Sequence, residues 1–211
     1  MRPDREKDLT LDLLEAIEAR SDVTQRHLAD RLGVALGMTN AYLKRCVLKG
    51  LVKIQQAPAN RYAYYLTPKG FAEKSRLTGE FLSASFDYYH RAATSIEESY
   101  DQIEISGDRR VLLAGVSEIA EIASVRAHQF EIELIGTVQP TEFKGAFLGR
   151  PVWSITEPIP DFDSILFTTL SDAQQFFNAL VERFDPKPLV VPAVLQPLLE
   201  NGPPLERRND G

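Results

Sequence analysis

Between Asp8 and Ala19 the chain reads "DLTLDLLEAIEA", and Leu9, Leu13, Leu14 and Ile17 recur at helical spacing, which predicts an amphipathic first helix. The polar break "SDV" ends it. Thr24 stands where an N-cap is wanted for a second helix, "QRHLADRLGV", with Leu28, Leu32 and Ala29 facing inward and Gly33 supplying a left-handed turn. A third helix is expected from residue 36 or 37 to Lys49. Its apolar positions are Met38, Ala41, Tyr42, Val47 and Leu48, and Gly50 closes it. The period then changes. Leu51, Val52 and Ile54 predict a short strand, "APAN" a turn, and "RYAYYLT" a second strand, after which Pro68 fits the first turn of another helix.

From Lys69 to about Glu104 there is no proline. Leu82, Phe86, Tyr89, Ala93, Ile96, Tyr100 and Ile103 alternate four and three residues apart, an a/d seam over three heptads. An intramolecular seam would use the same positions; the reading taken here is a homodimer. Further on, "DRRVLLAGVSEIAEIASVRAHQFEIELIGTVQP" predicts a buried strand Val111–Ala114, a turn at Gly115, a helix from 117 to about 128 and a returning strand Ile132–Val138. "GRPVW" brings the chain back towards the sheet. "FDSILFTT" predicts a third strand, "SDAQQFFNALVERF" a helix capped by Ser171, and "PLVVPAV" a last strand. Three or four parallel strands with helices on their faces are expected. The boundaries follow: a head at 1–76, a linker or dimerisation helix at 77–105, an α/β domain at 106–200, and a flexible tail at 201–211.

Charge changes this picture. The 211-residue chain has a net charge of -6, yet residues 1–79 hold fourteen Lys/Arg against nine Asp/Glu, and the remainder holds ten against twenty-one. A basic head on an acidic body suits polyanion binding by the head. A hydrophobic fraction of 44% is ample for folded cores, and no segment is long and apolar enough to span a membrane. The charged start "MRPDREKD" leads into no secretory region, so a cytoplasmic location is expected. One cysteine, Cys46, excludes an internal disulfide; it is expected to pack. Three scattered histidines, His27, His90 and His128, offer no metal site.

The order helix, helix, helix, hairpin, helix resembles the winged helix-turn-helix domains of bacterial regulators. "TQRHLADRLGVALGMTNAYLKRCVLKGLVKI" and "YYLTPKGFAEKSR" look particularly like the MarR-type branch, including its polysaccharide-locus relatives. The resemblance implies that the third helix enters the major groove of double-stranded DNA. Thr39 and Asn40 would then reach base edges, with Tyr42 a third if it is not part of the core, and Lys44 and Arg45 would meet phosphates or guanine. Gln25 and Arg26 would contact the backbone. Arg61 would enter a minor groove from the wing, with Lys53 and Gln55 nearby.

The second half resembles compact Rossmann-like nucleotide- or CoA-binding domains of sugar-biosynthesis proteins, and the two-part layout is similar to that of the Rex family of NADH-sensing repressors. That resemblance implies a nucleotide or nucleotide-sugar near Gly115, Ser117, Glu118, Thr137 and Gln139. The glycine fingerprint is incomplete, since Ser117 and Ala120 replace its second and third glycines. A body without ligand, acting as a scaffold, is the other reading. No residue pattern pairs a nucleophile with a base, "GVSEI" lacks the last glycine of a nucleophile elbow, and no enzymatic activity is expected. Asp161 and Asp163 read as loop caps ahead of a strand. A winged-helix adaptor that contacts protein is the alternative to a DNA-binding regulator, and a nucleotide-sugar-related enzyme is the remote one.

Overall fold

A computed structural model describes residues 3–57, 61–143 and 145–199. The chain divides into two compact units, Met1–Asp87 and Tyr88–Gly211. The expected tail at 201–211 and residues 58–60 of the expected turn lie outside the described residues.

In the first unit, α1 (Pro3–Ala19), α2 (Gln25–Leu32) and α3 (Leu36–Leu48) precede the hairpin β1 (Val52–Ala57) and β2 (Arg61–Leu66). Thr24 caps α2 by accepting from the His27 amide, and Gly33 closes it at φ 60°. The helical stripe of α1 enters a core with Leu28, Leu32, Tyr42, Leu43, Cys46, Leu51, Val52 and Tyr64. The phase of α3 differs from the expected one. Its buried residues are Thr39, Tyr42, Leu43 and Cys46, whereas Met38, Ala41 and Leu48 are exposed. The helix is apolar on several sides, so hydrophobicity alone did not set its rotation; the docking of Leu43 and Cys46 does.

The hairpin pairs Val52 with Leu66 through Ala57 with Arg61 in antiparallel register. The Tyr64 amide donates to the Ser21 carbonyl at 2.8 Å, which ties the hairpin to the end of α1. Thr67 then joins hairpin to helix: its hydroxyl donates to the Gly50 carbonyl at 2.6 Å and accepts from the Gly70 amide at 3.0 Å. The next helix, α4 (Pro68–Ile105), is 38 residues long. It includes the whole of the expected linker, and its two ends fall in different units.

The heptad seam does not act as one surface. Leu82, Phe86 and Tyr89 are exposed. Ala93, Ile96, Tyr100 and Ile103 are buried in the core of the second unit. For these four the expected dimer seam is corrected: the chain's own α/β core covers them.

The second unit is built on a six-stranded sheet in the order β5-β6-β4-β3-β7-β8. These strands are β3 (Arg110–Ala114), β4 (Glu133–Gln139), β5 (Ala146–Phe147), β6 (Arg150–Ser154), β7 (Ser164–Phe167) and β8 (Leu189–Val190), with α5 (Glu118–Arg126) and α6 (Ala173–Phe184) between them. Five strands are parallel, and only β5 runs antiparallel, against β6. This exceeds the three or four expected, because "GRPVW" joins the sheet beside β4 and the two-residue β8 extends it. The central strand β3 is buried from Val111 to Ala114, as an uninterrupted apolar run in a doubly covered parallel sheet should be. α6 begins after Asp172, in the left-handed region at φ 51°, not after a Ser171 cap.

Asp161 and Asp163 do separate structural work. Asp161 pairs with Lys187 at 3.3 Å. The Asp163 carboxylate accepts from the Arg110 and Arg109 amides at 2.8 and 2.9 Å, clamping the start of β3 to that of β7. Those two amides, Arg110 first, hold its pKa below the ordinary carboxylate value. Its stabilising effect is therefore complete above the unfolded pKa and is lost as pH falls through the lower folded one. Asp163→Ala should lower the thermal midpoint of the second unit at neutral pH, and the gap from the unsubstituted chain should shrink below about pH 4. A gap of equal size at pH 3 and pH 7 would refute the assignment.

Candidate nucleic-acid interface

The helix-turn-helix of the first unit presents α3 with an N-terminus that no side chain caps, since Ala35 at that position offers no acceptor. Its first turn also has no acidic residue. Such an end suits a phosphate oxygen.

The cations of this unit fall into two groups. Lys7 pairs with Glu80, Arg20 with Asp22, Arg45 with Glu6, Lys74 with Glu18, and Arg76 with Glu73 and Glu80. Four of these five reach carboxylates of α1 or α4. Among the described residues of this unit, Arg26, Arg31, Lys44, Lys49, Lys53 and Lys69 are exposed and have no ion pair; Lys69 donates to the Lys49 carbonyl at 2.9 Å. All but Lys69, in the first turn of α4, lie on α2, α3, the turn after it, or the hairpin. Most of the unneutralised cations thus sit on the helix-turn-helix and wing, where Arg45 is the one neutralised among the described residues.

The expected contact residues separate similarly. Lys44, Arg26, Lys53 and Gln55 are exposed. Gln25 is half-buried, and its amide nitrogen donates to the Tyr64 hydroxyl at 3.2 Å. Asn40 is half-buried with Oδ1 turned inward and unpartnered. Thr39 is fully buried, its hydroxyl donating to the Ala35 carbonyl at 3.3 Å, and Tyr42 is 2% exposed. These two are corrected from base-reading to core positions; both face the same side of α3 as Leu43 and Cys46. Arg45 donates to Glu6 at 2.9 Å and lies 4.2 Å over the Tyr42 ring, so an intramolecular carboxylate and ring hold its guanidinium. Arg61 begins β2, but its side chain lies outside the described residues. Sequence reasoning missed Gly37, Met38, Ala41 and Leu48 as outward positions. Counting helical steps from Leu43 and Cys46 would have found them.

At the turn where a nucleotide was expected, β3 and β7 are joined by backbone and side-chain hydrogen bonds. In a parallel sheet the crevice for a ligand lies at the carboxyl ends of strands where their order reverses, here between β3 and β7. That place is stitched across. The Thr168 amide and hydroxyl each donate to the Ala114 carbonyl at 2.9 Å. The same hydroxyl reaches the Gly115 carbonyl at 2.7 Å, and Thr169 donates to Ala114 at 2.8 Å. Ser117 donates to the Thr168 carbonyl at 2.5 Å and caps α5 by accepting from the Ala120 amide. Gly115, at φ 109°, has Thr169 Oγ1 only 2.1 Å from where a Cβ would stand. Its bareness admits a threonine, where a pyrophosphate would need the same space. Thr137 is 1% exposed; Glu118 is exposed and Gln139 half-buried. Of the five expected ligand residues, Thr137 thus lies in the core and Gly115 is packed against Thr169.

Among the described residues no group of three or more His, Cys, Asp or Glu could hold a metal ion, and no helix is long and apolar enough to cross a membrane. Cys46 is buried, and desolvation pushes its thiol pKa up despite nearby Lys49 and Arg45.

No curated protein sequence matches the chain. Among solved structures, the PcaV transcriptional regulator from Streptomyces coelicolor is 20% identical over 43% of this chain and 79% of its own, with a TM-score of 0.31. The O-methyltransferase NcsB1 of neocarzinostatin biosynthesis, in complex with S-adenosyl-L-homocysteine and 1,4-dihydroxy-2-naphthoic acid, is 14% identical over 89% of this chain and 77% of its own, with a TM-score of 0.35. PigF with S-adenosylhomocysteine is 15% identical over 90% and 70%, with a TM-score of 0.32. The expectation of no enzymatic activity is overturned here, because methyltransferase structures align along most of the chain. At these identities and TM-scores the likenesses transfer neither substrate nor cofactor. Residues 7–53 match the family described as winged helix-turn-helix DNA-binding, so the head of this chain is a winged helix-turn-helix domain of the DNA-binding type.

Proposed function

We propose that the chain is a transcriptional regulator that binds double-stranded DNA through α3 and the wing, acts as a homodimer, and uses its α/β unit as a scaffold. One observation carries the reading: among the described residues, five of the six exposed cations of the head without an ion pair, Arg26, Arg31, Lys44, Lys49 and Lys53, lie on the helix-turn-helix and wing, while acidic partners hold Lys7, Arg20, Lys74 and Arg76 outside it. A polyanion would complete that surface. The packing of Thr168 and Thr169 against the turn at Gly115 favours a scaffold over a nucleotide sensor. For the homodimer the supporting surface is the exposed stretch of α4 with Phe81, Leu82, Phe86 and Tyr89.

Selection of genomic fragments with the full chain, followed by footprinting at several salt concentrations, tests the reading. Affinity should fall steeply with salt as counterions are displaced. Lys44→Ala should weaken binding by about 1 kcal/mol or more and reduce the salt slope by about 1. Arg45→Ala should do less to DNA affinity, since Glu6 already holds that guanidinium. Unchanged affinity in Lys44→Ala refutes the placement of α3 in the groove. Intact mass of the same preparation reads the oligomer.

A second reading has its own observation. The outward side of α3 includes Leu36, Met38 and Leu48, the last 76% exposed, and an adaptor that docks on protein would use them. Salt-insensitive binding with no DNA selected would favour it.

A further inference from the structure

We infer that α3 reads thymine methyl groups, so that its site in the major groove is specified by apolar contact with A·T pairs. The inference rests on the DNA-binding reading above and names what that surface would recognise.

Gly37, Ala41, Lys44 and Leu48 are spaced four, three and four residues apart and fall on one line of the helix. They face away from the buried side set by Thr39, Leu43 and Cys46. Met38, 45% exposed, flanks the line. Recognition helices meet base edges mainly with their N-terminal residues, which here are Gly37, Met38 and Ala41. A Cβ on Gly37 would meet nothing within 4 Å, so that side of the helix is open to a close surface.

Apart from Lys44, the α3 groups that read bases by hydrogen bonds are withdrawn. The Thr39 hydroxyl is turned to Ala35, Tyr42 is in the core, and Arg45 is held by Glu6. Asn40 would need both ends of its amide to grip adenine, and its Oδ1 is buried. An apolar side chain in the major groove finds one apolar partner there, the C5 methyl of thymine. Charge keeps the partner a nucleic acid: Lys44 lies within the same line, unpaired, with Arg26, Arg31 and Lys53 likewise unpaired in the unit.

The test changes the DNA and leaves the protein intact. A duplex selected from a random-sequence library by the full chain is resynthesised with deoxyuridine replacing thymine at one position at a time. Uracil keeps the pairing and the O4 acceptor and lacks only the methyl. Binding should weaken about fourfold at one or more positions, the effect of about one buried methyl. In Met38→Ala, an exposed substitution that leaves the core untouched, at least one such position should lose its sensitivity. Full affinity at every uracil-substituted position, in a chain that still selects DNA, overturns the inference alone. Failure to select any duplex removes the DNA-binding reading as well, and the two failures are thereby distinguished.

Discussion

Tyr100→Ala should destabilise the second unit by about 4 kcal/mol, the usual cost of emptying a buried aromatic site. Tyr100 is fully buried, its ring lies 5.3 Å from that of Phe130, and its hydroxyl donates to the Ala123 carbonyl at 2.9 Å. Burial also pushes the phenol pKa above its ordinary value, so the neutral donor is the form the core accepts. Truncation removes the ring and leaves the Ala123 carbonyl without this donor. Urea denaturation followed by circular dichroism should show an earlier transition for the second unit. Were Tyr100 instead part of an intermolecular seam, the substitution would change the mass of the native species and leave the stability of a monomer untouched. That outcome would refute the burial argument.

The second large effect sets two glycines of one helix against each other. A Cβ on Gly70 would stand 2.1 Å from the Leu51 carbonyl oxygen, a backbone atom that cannot swing aside. The same oxygen accepts from the Thr67 amide and hydroxyl at 3.0 and 3.2 Å. Relief would require the start of α4 to move off Leu51, just ahead of β1. Gly70→Ala should therefore destabilise the head by about 3 kcal/mol, the upper range for overpacking. Gly79, in the same helix, has nothing within 4 Å of its would-be Cβ. Gly79→Ala should stabilise the helix by about 1 kcal/mol through propensity alone. Opposite signs in the two denaturation curves are the expected result; a neutral Gly70→Ala would mean that α4 does not press on Leu51 as described.

The order of elements in both units was legible because short-range chemistry specifies it. Thr24, Gly33 and Gly50 punctuate the helices, and the aromatic run "RYAYYLT" has few alternatives to a strand. Three features were not legible, each because a distant segment decides it. The rotation of α3 could not be read from residues apolar on several sides; contact with Tyr64 and Leu51 in the same core resolves it. The heptad pattern from Leu82 to Ile103 is uniform in sequence, yet only its last four positions meet the core of the second unit. The turn at Gly115 looks like half of a phosphate cradle until Thr168 and Thr169, some fifty residues later, are brought over it. Local pattern reports which residues want cover. It does not report what arrives to cover them.

Cys46 is the sole thiol of the chain and is sealed inside the first unit, 3% exposed. Alkylating reagents can therefore reach sulfur only when that unit breathes. The protein has a built-in clock for such openings: the pace of labelling measures excursions of the DNA-binding half, with no sulfhydryl in the other half to add to the signal.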